Sequence, residues 1–472
     1  MKKVLLVNTN TEKAPYPVPP IGLGLLAASL ETEFGVRVFD GMFRGGHGLR
    51  DEIREFSPDY IGVGIRNIDD VVMGQNTYYL NEIKGEFIDP IREESQATTI
   101  YGGCGFSIFP HEILEMFGGD FGIVGEGEQT FLLLLSALEN GRDPTGIPGV
   151  IVGGHRLQRI EYGVREGGAL KIPQSRIDRY VDFGPYRNRG SYPIQTKRGC
   201  HYQCIYCSYP SIEGRTYRLR SKEDVASEIE AVLQRLGDVS IEFVDSTFNA
   251  PMGHAENICR EIIGRGLDVR LRTMGVNPGK ITGELLTLMK RAGFAQIDCT
   301  PDSASEAMLA SLRKNFRKNE LEHAAKIIRD REMPTMWFFI FGGPGETEAT
   351  IMESFEFIDR YIAEFDMVHI TEGIRIFPGT ELFDRAVEEG IVSSHGSTLH
   401  PVFYVSKHLG KDRLREIVQS ECSKRPNCVP AMESTPAPEM LRRAGEMRQK
   451  FCLDEPMFRT LLRVRRERMG FG

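Results

Sequence analysis

Three cysteines within one short run constrain this chain more than any other stretch. In Lys197-Arg198-Gly199-Cys200-His201-Tyr202-Gln203-Cys204-Ile205-Tyr206-Cys207 the thiols stand at C-x3-C-x2-C spacing. A zinc loop pairs C-x2-C with a second Cys or His pair at defined spacing. Here His201 is too close in sequence to be a fourth corner, and no second pair follows. A four-iron, four-sulfur cluster takes four protein ligands when fully ligated, so three thiolates leave one iron open. An electron carrier gains nothing from the missing ligand, whereas a cluster that binds a substrate requires it. Zinc and chance clustering are the competing readings; the spacing favours the open iron–sulfur site.

The rest of the composition narrows the setting. A chain of 472 residues predicts two to four domains, and 41% hydrophobic content is ample for buried cores. No apolar run reaches the ~18 residues of a membrane span. Residues 1–8 form too short an apolar run for a signal peptide and read as a buried first strand. A net charge of −8 without a long basic run argues against a nucleic-acid partner. Nine cysteines do not suggest a secreted disulfide framework, so a reducing cytoplasm is the expected location.

In the first 150 residues, β-branched runs at 3–7, 36–40, 60–65, 98–101 and 121–124 alternate with helical stretches. The helix at 22–33 carries Leu23, Leu26, Ala27 and Leu30 on one face. This alternation predicts a doubly wound parallel sheet whose ligands bind beyond the carboxyl ends of the strands. Polar and Gly-rich residues collect there, among them Asn8, Asp40-Gly41, Arg66-Asn67, Gly102-Gly103-Cys104-Gly105 and Gly125-Glu126-Gly127-Glu128. Residues 146–190 read as a turn-rich linker, with 150–152 as a last strand.

Beyond it, a strand at 194–197 delivers the Cys loop at its C-terminal end, where parallel β/α scaffolds put chemistry. Strands at 240–244, 269–272, 295–299, 335–341 and 367–377 follow, with helices at 221–236, 283–291, 320–331 and 346–364 between them. Six β/α units predict a partial barrel over 191–400. The tail, 401–472, reads as a charged helical cap, with Pro401-Val402-Phe403-Tyr404 lying over the barrel mouth and a solvated basic face near Arg463–Arg468. Cys259 and Cys299 read as core; Cys422, Cys428 and Cys452 match no cluster spacing.

The Cys loop, with aromatic Tyr206 before the last Cys, resembles the radical S-adenosylmethionine superfamily. There the open iron chelates S-adenosylmethionine, and an electron cleaves it to a 5′-deoxyadenosyl radical. Four later segments are similar to that family's motifs in order. They are 243–249 with Asp245 toward the amino group, Asp302-Ser303 near the ribose, 339–347 with Gly342 and Gly343 beside adenine, and 374–380 with Arg375 toward the carboxylate.

In the first 145 residues, Pro19-Pro20-Ile21-Gly22-Leu23, Gly102-Gly103-x-Gly105-Phe106-Ser107 and Val124-Gly125-Glu126-Gly127-Glu128 resemble a cobalamin-binding domain. The resemblance makes Asn8, Gly22, Gly102, Gly103, Gly105, Phe106, Ser107 and 125–128 cofactor contacts. The Asp-x-His-x-x-Gly loop of one cobalamin pattern is missing. The expected cofactor is therefore base-off, His-off cobalamin. Arg66 either faces the lower side of the corrin or is a solvated strand-end residue. His47, in a Gly-rich loop, reads as a lone surface residue rather than a cobalt ligand.

Together these imply a C-methyltransferase that moves a methyl group from S-adenosylmethionine through methylcobalamin to a carbon of a small-molecule or natural-product intermediate. A flavodoxin- or ferredoxin-type donor would supply electrons. Cyclisation, ring contraction or another rearrangement with the same cofactors is the alternative.

Overall fold

A computed structural model describes residues 1–75, 77–154, 177–187 and 189–470. Much of the linker read at 146–190 lies outside the described residues. The α/β class is as the sequence implied.

The N-terminal sheet contains β1 (Lys3–Asn8), β2 (Gly35–Asp40), β3 (Tyr60–Gly64), β4 (Thr98–Gly102), β5 (Phe121–Ile123) and β6 (Val150–Val152). Its order is β2-β1-β3-β4-β5-β6, parallel throughout except that β6 runs antiparallel to β5. Both faces must be covered, and β1 shows how. Val4 and Leu6 enter one apolar cluster with Ala27 and Leu30 of the helix Ile21–Leu30, while Leu5 and Val7 enter another with Leu49 and Ile53 of the helix Gly41–Phe56. The strand order reverses between β1 and β3, which places the ligand crevice at their carboxyl ends.

The segment after β2 differs from expectation. Instead of a Gly-rich loop it is the helix Gly41–Phe56, started by Asp40, whose carboxylate accepts from the Met42 amide at 3.2 Å. The glycines break it only at Gly45 (φ +58), and His47 is exposed on the helix.

The second unit begins with β7 (Tyr192–Ile194). The expected 194–197 strand splits there: β8 (Lys197–Arg198) pairs antiparallel with β9 (Arg218–Leu219), and this pair frames the Cys loop. The arc continues with β10 (Ser240–Phe243), β11 (Arg270–Thr273), β12 (Ile297–Asp302), β13 (Thr335–Phe341) and β14 (Met367–Glu372). β7, β10 and β11 are parallel neighbours, as are β12, β13 and β14; the bridges Leu271–Phe294 and Val276–Cys299 join the two sets. The 367–377 run breaks at Gly373 (φ +70) into β14 and β15 (Ile374–Arg375), and β15 pairs with β16 (Phe403–Tyr404).

The tail is not purely helical. β17 (Cys428–Pro430) adds to the outer edge of β14 as a further parallel strand. Along β13, Thr335, Trp337, Phe339 and Phe341 are buried; Trp337, Phe339 and Phe341 contact Phe355 and Phe357 of the helix Glu348–Tyr361. The alternating residues Met336, Phe338 and Ile340 are partly exposed and face the hollow of the arc.

Candidate functional site

The Cys loop stands on a buried ion pair. Asp245, just beyond β10, accepts from the Thr196 amide (2.7 Å), the Thr196 hydroxyl (2.5 Å), the Lys197 amide (3.3 Å) and Lys197 Nζ (2.9 Å). The two charged side chains are 1% and 0% exposed. Removing either partner would strand a buried charge, at a cost of about 3–5 kcal/mol. Both Asp245 oxygens are spoken for, so the carboxylate supports the loop from below. The expectation that it meets S-adenosylmethionine is corrected on that ground. His254 completes the base, with Nε2 3.2 Å from the Thr196 hydroxyl; burial, then Lys197, hold it down to about 4. Gly199 has φ +90, and a Cβ there would lie 2.1 Å from the Thr216 carbonyl, so only glycine starts the loop.

Cys200 is buried, and Cys204 and Cys207 are half-buried. Burial pushes all three thiols up, Cys207 to about 12, so a metal must drive their deprotonation. Among the described residues, no three His, Cys, Asp or Glu side chains are grouped to hold one metal ion. A cluster instead asks each thiolate to reach a different iron, and a donor set of three thiols on one loop fits that demand.

Beside the loop, Tyr206 donates its hydroxyl to Asp302, and Lys314 Nζ donates to the same carboxylate at 2.7 Å. Asp302 ends β12 in a left-handed conformation (φ +66) that turns it toward Tyr206. Lys314 is a buried cation that electrostatically favours the thiolates of Cys204 and Cys207. It stands in no motif, so nothing in the sequence could have singled it out.

Two other expected contacts are turned elsewhere. The Gly342 and Gly343 amides both donate to Glu346 Oε2, at 2.5 and 3.0 Å. The glycine turn therefore closes on the chain's own carboxyl group, and burial pushes Glu346 up to about 7 against the pull of those amides. Arg375 is not free to anchor a ligand carboxylate. Its Nε donates to Asp69 (2.9 Å) of the N-terminal unit, and its Nη groups donate to the carbonyls of Ile376 (2.8 Å), Thr398 (2.7 Å) and Leu399 (3.3 Å). The role expected of Arg375 is corrected to that of an inter-domain tie.

At the ligand end of the N-terminal sheet the expected residues divide. Phe106 is fully buried in the core beneath Gly122, so it is corrected to a packing residue. Ser107 donates to the Gly103 carbonyl (2.8 Å) and accepts from the Gly125 amide (2.9 Å), tying the two glycine loops together. Gly103 and Gly105 press on backbone: a Cβ would lie 2.5 Å from the Ile65 carbonyl and 2.8 Å from that of Arg66. Asn8 donates to Asp40 at 2.8 Å.

Glu126 and Glu128 are also corrected. They do not face a cofactor loop but pair with Arg198 and Arg218 on the two strands framing the Cys loop, Arg198–Glu126 at 3.0 Å and Arg218–Glu126 at 2.9 Å. The open positions are Gly22, Gly102 and Gly127, where a Cβ would meet nothing closer than 3.7 Å. Next to them a narrow cleft lined by Thr9, Asn10, Thr11, Asn67, Tyr79 and Ile83 lies where β1 and β3 diverge. The buried Asn10 Nδ2 there has no partner. A trough without Cβ atoms beside an unsatisfied amide fits a large cofactor laid along the strand ends. Exposed Arg66, with Cys104, stands near Tyr209, two residues past Cys207. The trough and the thiol loop therefore share one boundary.

A two-domain α/β chain, with a ligand-binding parallel sheet facing a three-thiol loop on an open β/α arc, is the class that fold and site define. Residues 7–135 match the B12 binding domain and residues 194–358 match the Radical SAM superfamily. The tryptophan 2-C-methyltransferase of Streptomyces laurentii is 26% identical over 82% of this chain and 74% of its own length. The cytidylyl-2-hydroxyethylphosphonate methyltransferase of Streptomyces wedmorensis is 24% identical over 84% of each. Among solved structures, the radical S-adenosylmethionine methyltransferase TsrM of Kitasatospora setae, with cobalamin and a 4Fe–4S cluster bound, superposes over the full length of both chains. Its TM-score is 0.83 at 23% identity. The chain thus carries a B12 binding domain match followed by a Radical SAM superfamily match.

Proposed function

We propose that the chain is a cobalamin-dependent C-methyltransferase acting on a small molecule. The observation that carries this reading is the shared boundary between the Cys200–Cys204–Cys207 loop and the strand-end trough of the N-terminal sheet. The methyltransferase names of relatives matched over most of their length support it. Cys200, Cys204 and Cys207 would hold the cluster and leave one iron for S-adenosylmethionine. The trough at Gly22, Gly102 and Gly127, with Asn10 at its floor, would hold the corrinoid. When bound, the cluster supplies the electron that cleaves S-adenosylmethionine, and the corrinoid supplies a methyl carrier able to reach an unactivated carbon.

The chain's own residues position these parts. Asp245 and Lys197 fix the root of the loop. The Asp302 carboxylate holds the Tyr206 ring and the Lys314 cation beside the loop, and the cation opposes the burial that disfavours ionised Cys204 and Cys207. Arg66, a permanent cation on the trough side, would stand beside the corrinoid. His47, on its helix, gives no support to ligation. A flavodoxin- or ferredoxin-class donor and a reducing cytoplasm suit an oxygen-sensitive site.

The test is anaerobic reconstitution with iron, sulfide and hydroxocobalamin, followed by trideuteromethyl S-adenosylmethionine and cell extract. A metabolite heavier by about three mass units from the label supports methyl transfer. Unlabelled product beside 5′-deoxyadenosine would replace it with the rearrangement reading. Cys200→Ala should abolish both.

A further inference from the structure

The hollow of the barrel carries charges that neither cofactor site uses. Register sets Glu242 of β10 beside Arg272 of β11, and Asp298 of β12 beside Met336 of β13. From the N-terminal unit, Tyr16 enters this wall and donates its hydroxyl to the Glu242 carboxylate, with its oxygen 2.9 and 3.1 Å from the two acceptors. The Arg272 guanidinium lies over the Tyr16 ring, 4.5 Å from its centre.

Tyr16 thereby satisfies the carboxylate that would otherwise take the arginine. Arg272 keeps an ion pair with Glu242 at 3.8 Å, too long for a hydrogen bond, and its buried Nε has no hydrogen-bond partner. Asp298 accepts one side-chain hydrogen bond, from Gln296 at 3.2 Å, and among the described residues it forms no ion pair. Burial pushes its carboxyl up to about 6 although Arg272 is near enough to oppose the shift. Asp298 thus lies without an ion pair near a cation that Glu242 holds only at ion-pair distance, in a place where a buried carboxylate is costly unless paired. The partly exposed Met336 and Phe338 form an apolar side to the same hollow.

We infer that this wall anchors the substrate, and that the substrate is a free α-amino acid. Its carboxylate meets the Arg272 fork, its ammonium meets Asp298, and its side chain lies along Met336 and Phe338. Tyr16 acts as a positioning residue: by holding Glu242 it leaves Arg272 available. Calling the ligand a substrate rests on the methyltransferase reading; its binding does not.

The experiment is equilibrium dialysis of the cluster- and cobalamin-loaded protein against each radiolabelled proteinogenic L-amino acid, without S-adenosylmethionine. At least one amino acid should be retained. Its decarboxylated amine and its deaminated acid should each bind about 100-fold more weakly, because each leaves one buried charge unpaired. Arg272→Gln and Asp298→Asn should each weaken retention at least about 10-fold, with corrinoid absorbance and iron content unchanged and Arg272→Lys recovering part of the loss. Tyr16→Phe, which keeps the ring, should also weaken retention by freeing Glu242 to take Arg272.

Retention of no amino acid, retention indifferent to Arg272→Gln and Asp298→Asn, or equal binding of the amine overturns the inference. Amino-acid retention without methyl transfer in extract would overturn the function proposed above and leave this inference standing. Methylation of a metabolite that is not an amino acid would do the reverse.

Discussion

Two of the ties between the domains are built differently. Asp69–Arg375 is a single pair, 2% and 1% exposed, with the Arg375 fork also held by three backbone carbonyls. Glu126 and Glu128 with Arg198 and Arg218 form a four-membered cluster whose carboxylates stay 16% and 18% exposed. The first is sealed from water on both sides, so it sets the orientation of the domains. The second ends on β8 and β9, the strands that frame the thiol loop. It keeps some access to water, so it can loosen without unfolding the chain. A site that must hold two large cofactors in register needs the rigid tie; a loop that must admit a cluster and a substrate suits the softer one.

Breaking the rigid tie should have the largest effect. Arg375→Ala leaves Asp69 buried without its cation and should cost about 3–5 kcal/mol, read as a lower denaturant midpoint of the loaded protein. A loss no larger than that of the softer cluster, about 1–2 kcal/mol, would show that the first tie is not the more rigid one. The double change Glu126→Gln, Glu128→Gln should cost less stability, about 1–2 kcal/mol, because the carboxylates are partly screened. It should also lower the iron bound per chain after reconstitution. Unchanged iron content would remove the cluster's connection to the thiol loop.

Gly103→Ala tests the trough between the ties. With φ +103 and the Ile65 carbonyl 2.5 Å from the added carbon, it should cost about 1–3 kcal/mol. Cobalamin retention should fall while iron content holds.

A pH dependence comes from Glu346, a group in neither tie. Its folded-state pKa stands at about 7, above the usual 4.5, so the native state keeps a proton that the unfolded chain has released. The contribution is fully present below 4.5 and is lost as pH rises through about 7. The denaturant midpoint should fall between pH 5 and 7.5, and Glu346→Gln should flatten that fall. An equal slope in both proteins would assign it to another group.

Sequence reasoning reached the architecture because it rests on local patterns: β-branched runs, helix faces and glycines at strand ends. The thiol loop was legible for the same reason, since its spacing lies within one run. Arg375, Glu126 and Glu128 were misread because their partners, Asp69, Arg198 and Arg218, lie on the other domain. A motif shows that a charge stands at a strand end but not which neighbour reaches it first. Phe106 follows a glycine loop that looks built for a ligand, yet its ring turns under Gly122 into the core. Lys314 and Tyr16 belong to no pattern; only the fold sets one beside Asp302 and the other beside Glu242.

The last strand of the barrel has a consequence for synthesis. β14 finishes near residue 372, but its outer neighbour, residues 428–430, is translated only some 55–60 residues later. At about 5–20 residues per second, that edge waits several seconds on the ribosome with its backbone groups unpaired. During that interval a nascent chain offers a strand-shaped vacancy on one side and an unfinished hollow on the other. Ribosome-bound chains stalled before residue 428 should therefore be more prone to aggregation than chains stalled beyond 430.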